Sequence, residues 1–212
     1  LKKEFDQCRK DQKPHRKFIE KGLDHIVPYD AGLTIIKNSK GEEKKLPLID
    51  VWRDAKHHGL KRRFKDTNII LRGGIDDVWF NKKTKELIVV DYKSQASSKE
   101  VSQDTYFPKG GYHDSYKTQL NFYAYLIKGL NLKYKISGDS YLYVVNGLEV
   151  EKGFNGKIIF SETLIHHRVE TDYLDEEIQE MIDTINSNKI PTSNKSCKNC
   201  AYSRQRSVID TL

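Results

Sequence analysis

No apolar stretch in the 212-residue sequence approaches the roughly 18 residues that a membrane-spanning helix needs, and no signal peptide is visible. These absences argue against a membrane partner and give a cytoplasmic location as the expectation. Cysteine is scarce. Three cysteines, an odd number, suit a reducing compartment better than a disulfide framework. Internal repeats and low-complexity tracts are also lacking. Methionine occurs once, at Met181, so Leu1 is not an initiator, and "LKKEFDQCRK" reads as helix with no cap before it. The expectation is a domain whose first element begins upstream of Leu1.

What the sequence does have is charge. Asp, Glu, Lys and Arg make up 32% of it, the net charge is +7 and the pI is near 9.1, a balance that favours polyanionic partners such as nucleic acid. Apolar runs recur along the whole length, so the chain is not disordered. Its size fits one domain with a small appendage. We expect a domain over residues 1–190 and a C-terminal segment over 191–212.

Periodicity predicts helix from Leu1 to about Gly22, broken near Pro14, then a solvated turn over Asn38–Lys45 and a short amphipathic helix in "LPLIDVWRDAKHHG" ending at Gly59. Two strands, Ile69–Phe80 and Leu87–Lys93, are joined by the polar turn "NKKTKE". A helix over about His113–Leu130 follows. Two more strands lie in "SYLYVV" and "KIIFSETLIHHRV", and the last helix is capped by Thr171 or Asp172. This order describes a mixed α/β domain with its sheet between helices.

The segment "RGGIDDVWFNKKTKELIVVDYKS" carries the chemistry. The hairpin lays the Asp76 end of one strand beside the Asp91 end of the next. Two carboxylates so placed are costly unless a cation sits between them. Oxygen ligands select magnesium or manganese over softer metals. Alternation puts Asp91 and Lys93 on one face of the strand, with Tyr92 pointing away and its carbonyl open to serve as a further ligand. Asp77 competes with Asp76, but alternation turns it to the opposite face. A cation, a water and a lysine at one point suit phosphodiester hydrolysis. A surface Asp–Lys pair is the plainer reading of D-x-K alone.

Three pieces in order narrow the choice: Gly74-Ile75-Asp76, then Ile88-Val89-Val90-Asp91-Tyr92-Lys93, then Gln119 with Tyr123 in "QLNFYAYLI". Together, over about Ile69–Leu130, they resemble the PD-(D/E)XK nucleases of the RecB type, a layout shared by CRISPR-associated adaptation nucleases and helicase-linked nuclease modules. The resemblance implies a restriction-endonuclease-like α/β fold, a mixed central sheet flanked by helices. It implies a Mg2+- or Mn2+-dependent nuclease of the exonuclease type, acting on DNA at single strands or duplex ends, with a helicase or recombination partner. Asp76 and Asp91 then correspond to the metal-binding carboxylates, with the Tyr92 carbonyl as a further ligand. Lys93 corresponds to the lysine that orients water or stabilises charge, and Gln119 and Tyr123 to the helix motif lining the site. The family also supplies a ligand from a preceding helix. Glu4 is a candidate, with His25, His57 and His58 as other options and a position upstream of Leu1 as another.

Cys197 and Cys200 form a C-x-x-C pair, half of a tetrahedral metal site. Many RecB-type nucleases close their domain with an iron–sulfur cluster. Here Arg206 stands where a third C-terminal cysteine belongs, and Cys8 supplies at most one more ligand. An iron–sulfur cluster or Zn2+ would therefore require ligands upstream of residue 1. The basic "KHHGLKRRF" patch, with Lys56, Lys61, Arg62 and Arg63 beside Phe64, suits phosphates and a stacked base. "KSQASSKE" and the Gly110-Gly111 loop lie just beyond Lys93 and are further candidates for strand contact. The competing reading is a catalytically weak nucleic-acid-binding module, against which the Asp76, Asp91 and Lys93 set argues. A zinc-bearing interaction domain lacks enough ligands.

Overall fold

A computed structural model describes residues 1–37, 40–108, 111–148 and 156–209. The chain divides into two compact units, Leu1–Thr171 and Asp172–Leu212. In the first unit the elements run α1 (Lys2–Asp11), α2 (Arg16–Glu20), β1 (Ile26–Pro28), β2 (Leu33–Lys37), β3 (Glu43–Pro47), α3 (Leu48–Arg53), β4 (Leu60–Arg63), β5 (Ile70–Gly73), β6 (Asp77–Asn81), β7 (Glu86–Ala96), α4 (Gln103–Tyr106), α5 (Asp114–Lys128), β8 (Lys135–Leu148) and β9 (Ile159–Arg168). The second unit holds α6 (Leu174–Asn186) and α7 (Lys198–Ile209). Among the described residues no helix is long and apolar enough to cross a membrane.

Five strands form the central sheet in the order β1-β6-β7-β8-β9. The β7–β8 pair is parallel and the other neighbours are antiparallel. A parallel pair needs a long crossover, and α5 supplies it. Leu120, Ala124 and Ile127, at i, i+4 and i+7 on α5, are buried in one core with Leu87 and Val89 of β7 and Leu142 and Val144 of β8. The alternate residues Ile88 and Val90 join Phe5 of α1, Phe18 of α2, Trp79 and Tyr143 in a second core on the other face. Burial on both faces explains why Leu87–Val90 is continuously apolar rather than alternating. This mixed sheet between helices is the architecture expected from the sequence.

The expected strand Ile69–Phe80 is in fact two. Ile70–Gly73 pairs with Leu60–Arg63 in a separate two-stranded ribbon, and the chain enters the main sheet only at Asp77. The break is imposed by α3 and the turn after it: the Ile75 N–H donates to the Trp52 carbonyl at 3.2 Å, and the backbone of Gly74 passes so close to Ala55 that no side chain fits between them. Other expectations also shift. Glu43–Lys45 belong to β3 rather than to a solvated turn, while Asn38 and Ser39 of that turn lie outside the described residues. The helix in "LPLIDVWRDAKHHG" stops at Arg53, and Gly59 instead takes a left-handed turn (φ 69°) against the Gly73 carbonyl. Thr171 does not cap α6, because its hydroxyl accepts a bond from Lys128 Nζ at 2.8 Å and the residue at the cap position is Tyr173.

The outer edge of the sheet, β9, is met by a side chain. Gln103 Nε2 donates to the His166 carbonyl at 3.0 Å while its Oε1 accepts from the His166 N–H at 2.7 Å.

Gly74→Ala should destabilise the first unit by about 1–3 kcal/mol, since a Cβ must push α3 away from the strand junction. Urea unfolding checks this, and an alanine variant as stable as the parent would show that the approach of Ala55 is not tight.

Candidate active site

The β6–β7 ladder ends with Asp77 opposite Val90, and one step further the register sets Asp76 opposite Asp91. The Asp76 side chain bridges the gap between the strands: its Oδ2 accepts from the Tyr92 N–H at 3.0 Å. Its backbone carbonyl accepts from Arg53 Nε at 2.8 Å, and its Oδ1 lies 2.8 Å from Lys2 Nζ. In a strand the carbonyl leaves on the same side as the N–H of its residue. The Tyr92 carbonyl therefore also points past the end of the ladder, toward Asp76.

Asp91 is only 3% exposed, and its Oδ2 lies 2.6 Å from Lys93 Nζ. Burial pushes its carboxyl up to about 6, against the pull of Lys93, and the neighbouring Asp76 charge adds to the rise. Lys93 in turn donates to Gln119 Oε1 at 2.8 Å, and Gln119 Nε2 donates to Tyr123 Oη at 2.8 Å. The Lys93 ammonium also sits 4.1 Å from the centre of the Tyr116 ring. Tyr116, Gln119 and Tyr123 share one face of α5 at i, i+3 and i+7. The five residues Asp76, Asp91, Lys93, Gln119 and Tyr123 thus come together at one end of the sheet, on the α5 face.

The adjacent residues face the other way. Asp77 is fully buried: its Oδ1 accepts from Arg9 Nη2 at 2.5 Å and from the Val78 N–H at 2.8 Å, and its Oδ2 accepts from the Tyr92 phenol at 2.5 Å with Arg53 Nη2 3.3 Å away. Burial pushes this carboxyl up while the two guanidinium groups pull it back.

Other candidates sit elsewhere. The Glu4 carboxylate is 2.9 Å from His15 Nε2 and 3.5 Å from Arg16, so Lys2, not Glu4, is the α1 residue that reaches Asp76. His57 pairs with Asp54, His25 stands 3.6 Å from Asp24, and His58 offers its carbonyl to Arg72. Lys56, Lys61 and Arg63 are exposed, but Arg62 is committed to the fold: it donates to the Tyr125 carbonyl at 2.6 Å and lies 3.9 Å over that ring. Phe64 is fully buried and is not available to stack a base. Ser94–Ala96 continue β7 along β8, and Gly110 lies outside the described residues.

Cys197 and Cys200 lie in the second unit at the start of α7, where the Cys200 N–H reaches Cys197 Sγ at 3.5 Å and holds that thiol below its ordinary value. Cys8 is on α1. Among the described residues no three His, Cys, Asp or Glu side chains gather in a way that could hold a metal ion. At the Asp76–Asp91 cluster the side chains therefore offer two carboxylates. Oxygen donors of this kind suit a hard divalent cation, which would compete with the Lys2 and Lys93 ammonium groups now on them.

Sequence reasoning missed Lys2, Arg53 and Tyr116. Helical spacing from Gln119 would have found Tyr116. Nothing local marks the other two, which act across 74 and 23 residues of chain.

With this geometry in view, comparison gives the class. The model of the PD-(D/E)XK nuclease superfamily matches residues 9–205, and the chain belongs to that superfamily. No curated protein and no solved structure gives a significant match.

Two stability tests follow from the two faces. Asp77→Ala should cost about 3–5 kcal/mol, because it strands buried guanidinium groups. Asp76→Ala should cost about 1–2 kcal/mol, since it loses one part-buried bond from the Tyr92 N–H and a Lys2 pair whose ammonium is half-exposed. Equal losses in urea unfolding would refute the distinction.

The second test concerns pH. The folded protein holds the Asp91 proton more tightly than the unfolded chain, where the carboxyl titrates near 3.8. Stability from this residue is therefore full below that value, is lost as pH rises through about 6, and stays lost above. Asp91→Asn should accordingly stabilise the metal-free protein by about 1–2 kcal/mol at neutral pH, with the gain fading toward pH 4. A variant less stable than the parent in EDTA at neutral pH would contradict this.

Proposed function

We propose that the chain is a divalent-metal-dependent deoxyribonuclease of the RecB-like exonuclease type, hydrolysing phosphodiester bonds at or near single-stranded ends. The observation that carries this reading is the cluster at the end of β6 and β7: Asp76 bonded to the Tyr92 N–H beside Asp91, with the Lys93 ammonium 2.6 Å from the Asp91 carboxylate. Superfamily membership supports nuclease chemistry.

Asp76, Asp91 and the Tyr92 carbonyl would hold Mg2+ or Mn2+. Such an ion, when bound, acidifies water and polarises a phosphoryl oxygen. The chain's own groups do the rest. Lys93 carries a fixed positive charge into a half-buried site, where it can orient the attacking water or neutralise a phosphate oxygen. Gln119 accepts a hydrogen bond from Lys93 and itself donates to Tyr123, so the ammonium is aimed rather than free. The Tyr116 ring closes another side of Lys93. Lys56, Lys61 and Arg63, all exposed, are available to phosphates further along the strand.

Labelled single- and double-stranded DNA incubated with manganese, magnesium or EDTA tests the reading. Cleavage should need a divalent ion, with manganese at least as effective as magnesium, and should vanish in Asp76→Ala. Lys93→Ala should slow cleavage by about 100-fold or more, the scale of losing one charge-stabilising group, yet change DNA affinity by only about twofold. Tight DNA binding with no cleavage under any divalent ion would favour a binding module instead. Equal losses of binding and cleavage in Lys93→Ala would make Lys93 a phosphate contact.

A further inference from the structure

The rings between α4 and α5 are layered outward from the core beside Lys93. Tyr106, 3% exposed, stacks on His113 with centroids 4.2 Å apart and planes 20° apart. His113 stacks in turn on Tyr116 at 5.3 Å and 18°, and its Nδ1 lies 2.7 Å from the Tyr106 carbonyl. The row ends in Tyr112, set edge-on to Tyr116 at 5.7 Å and 82°. Tyr112 is 79% exposed. It is nevertheless rooted: its carbonyl accepts from the Ser115 hydroxyl at 2.9 Å, at the first turn of α5.

Of the rings in this row Tyr112 is the most open, with His113 and Tyr116 half-buried, and its distance from the Lys93 ammonium is bounded by two short spans. Lys93 Nζ is 4.1 Å from the Tyr116 ring centre, and that centre is 5.7 Å from the Tyr112 ring centre. A chain whose phosphate lies at Lys93 would bring its next base or so to Tyr112. Most of this ring is left uncovered by the fold, and a nucleobase offers a flat π-face tethered to a phosphate at this range.

We propose that Tyr112 is a stacking platform for an unpaired nucleobase adjacent to the phosphate at Lys93, and that the site therefore takes single-stranded nucleic acid in preference to duplex. In a duplex each interior base is covered on both faces by its neighbours, whereas a single strand exposes base faces that aromatic side chains can cover. This inference rests on the nuclease reading for the placement of the phosphate. The ring, its exposure and its rooting do not depend on that reading.

The test uses the full chain without metal, in EDTA, at fixed salt. Binding of a single-stranded oligonucleotide carrying 2-aminopurine is compared with binding of a blunt duplex of the same sequence. Tyr112→Leu should weaken single-strand binding about tenfold and abolish the stacking quench of 2-aminopurine, while duplex binding stays within about twofold. Tyr112→Phe should retain both the affinity and the quench. An exposed position leaves folding unaffected, which a melting curve of each variant verifies. Unchanged single-strand binding in Tyr112→Leu overturns the proposal, as does an equal loss for single strand and duplex. Failure of the nuclease reading has a separate signature, no cleavage by the parent chain with manganese, which this metal-free comparison does not share.

Discussion

A carboxylate with no exposure to water organises the end of the sheet where the candidate site lies. Asp77 gathers Arg9 from α1, Arg53 from α3 and the Tyr92 phenol from β7 around one side chain on β6. Arg53 extends the tie, with Nη1 on Asp6 of α1 at 2.8 Å and Nε on the Asp76 carbonyl. Burying this much charge gives little net stability, and a hydrophobic set of equal volume would serve as well or better. What it does give is position. Two helices distant in sequence are pinned to the β6–β7 hairpin beside Asp76.

The arrangement follows from strand alternation applied twice. Asp76 and Asp77 are neighbours, as are Asp91 and Tyr92, and each pair sends one side chain to each face. Toward α1, Asp77 and Tyr92 bond to each other, with the two arginines around the buried carboxylate. Toward α5, Asp76 and Asp91 stand with ammonium groups from Lys2 and Lys93 on them, and burial raises the Asp91 carboxyl to about 6. The same four residues thus build a rigid support on one side and exchangeable charge on the other. Tyr92 joins the two: its phenol belongs to the support, its N–H to Asp76.

Much of this was legible because it obeys short periods. The choice of Asp76 over Asp77 for the α5 face needs only the two-residue repeat of a strand, and Gln119 with Tyr123 needs only the turn of a helix. The splitting of Ile69–Phe80 was not legible, since Ile70–Gly73 and Asp77–Asn81 both have strand composition and are separated by the contact of Gly74 with Ala55 of a different element. The basic patch misled for a related reason. Arg62 and Phe64 look like ligands for nucleic acid in sequence, but β4 alternates, and it turns Arg62 onto Tyr125 while Phe64 goes into the interior. Lys2 reaches Asp76 by the length of its side chain from the first turn of α1, a meeting that depends on how the helix is docked.

Gln103 has a consequence for the fate of the molecule in a crowded solution. An open sheet edge is a template for another strand, and chains that leave one long and flat tend to aggregate through it. Beside His166 that template is already filled by a primary amide, which offers the same donor and acceptor as a peptide unit. A strand approaching β9 from outside meets satisfied backbone groups at this point and cannot zip along the full edge. The glutamine thus acts as a one-residue terminator of the sheet, and its loss would matter first for how the protein keeps company with other copies of itself.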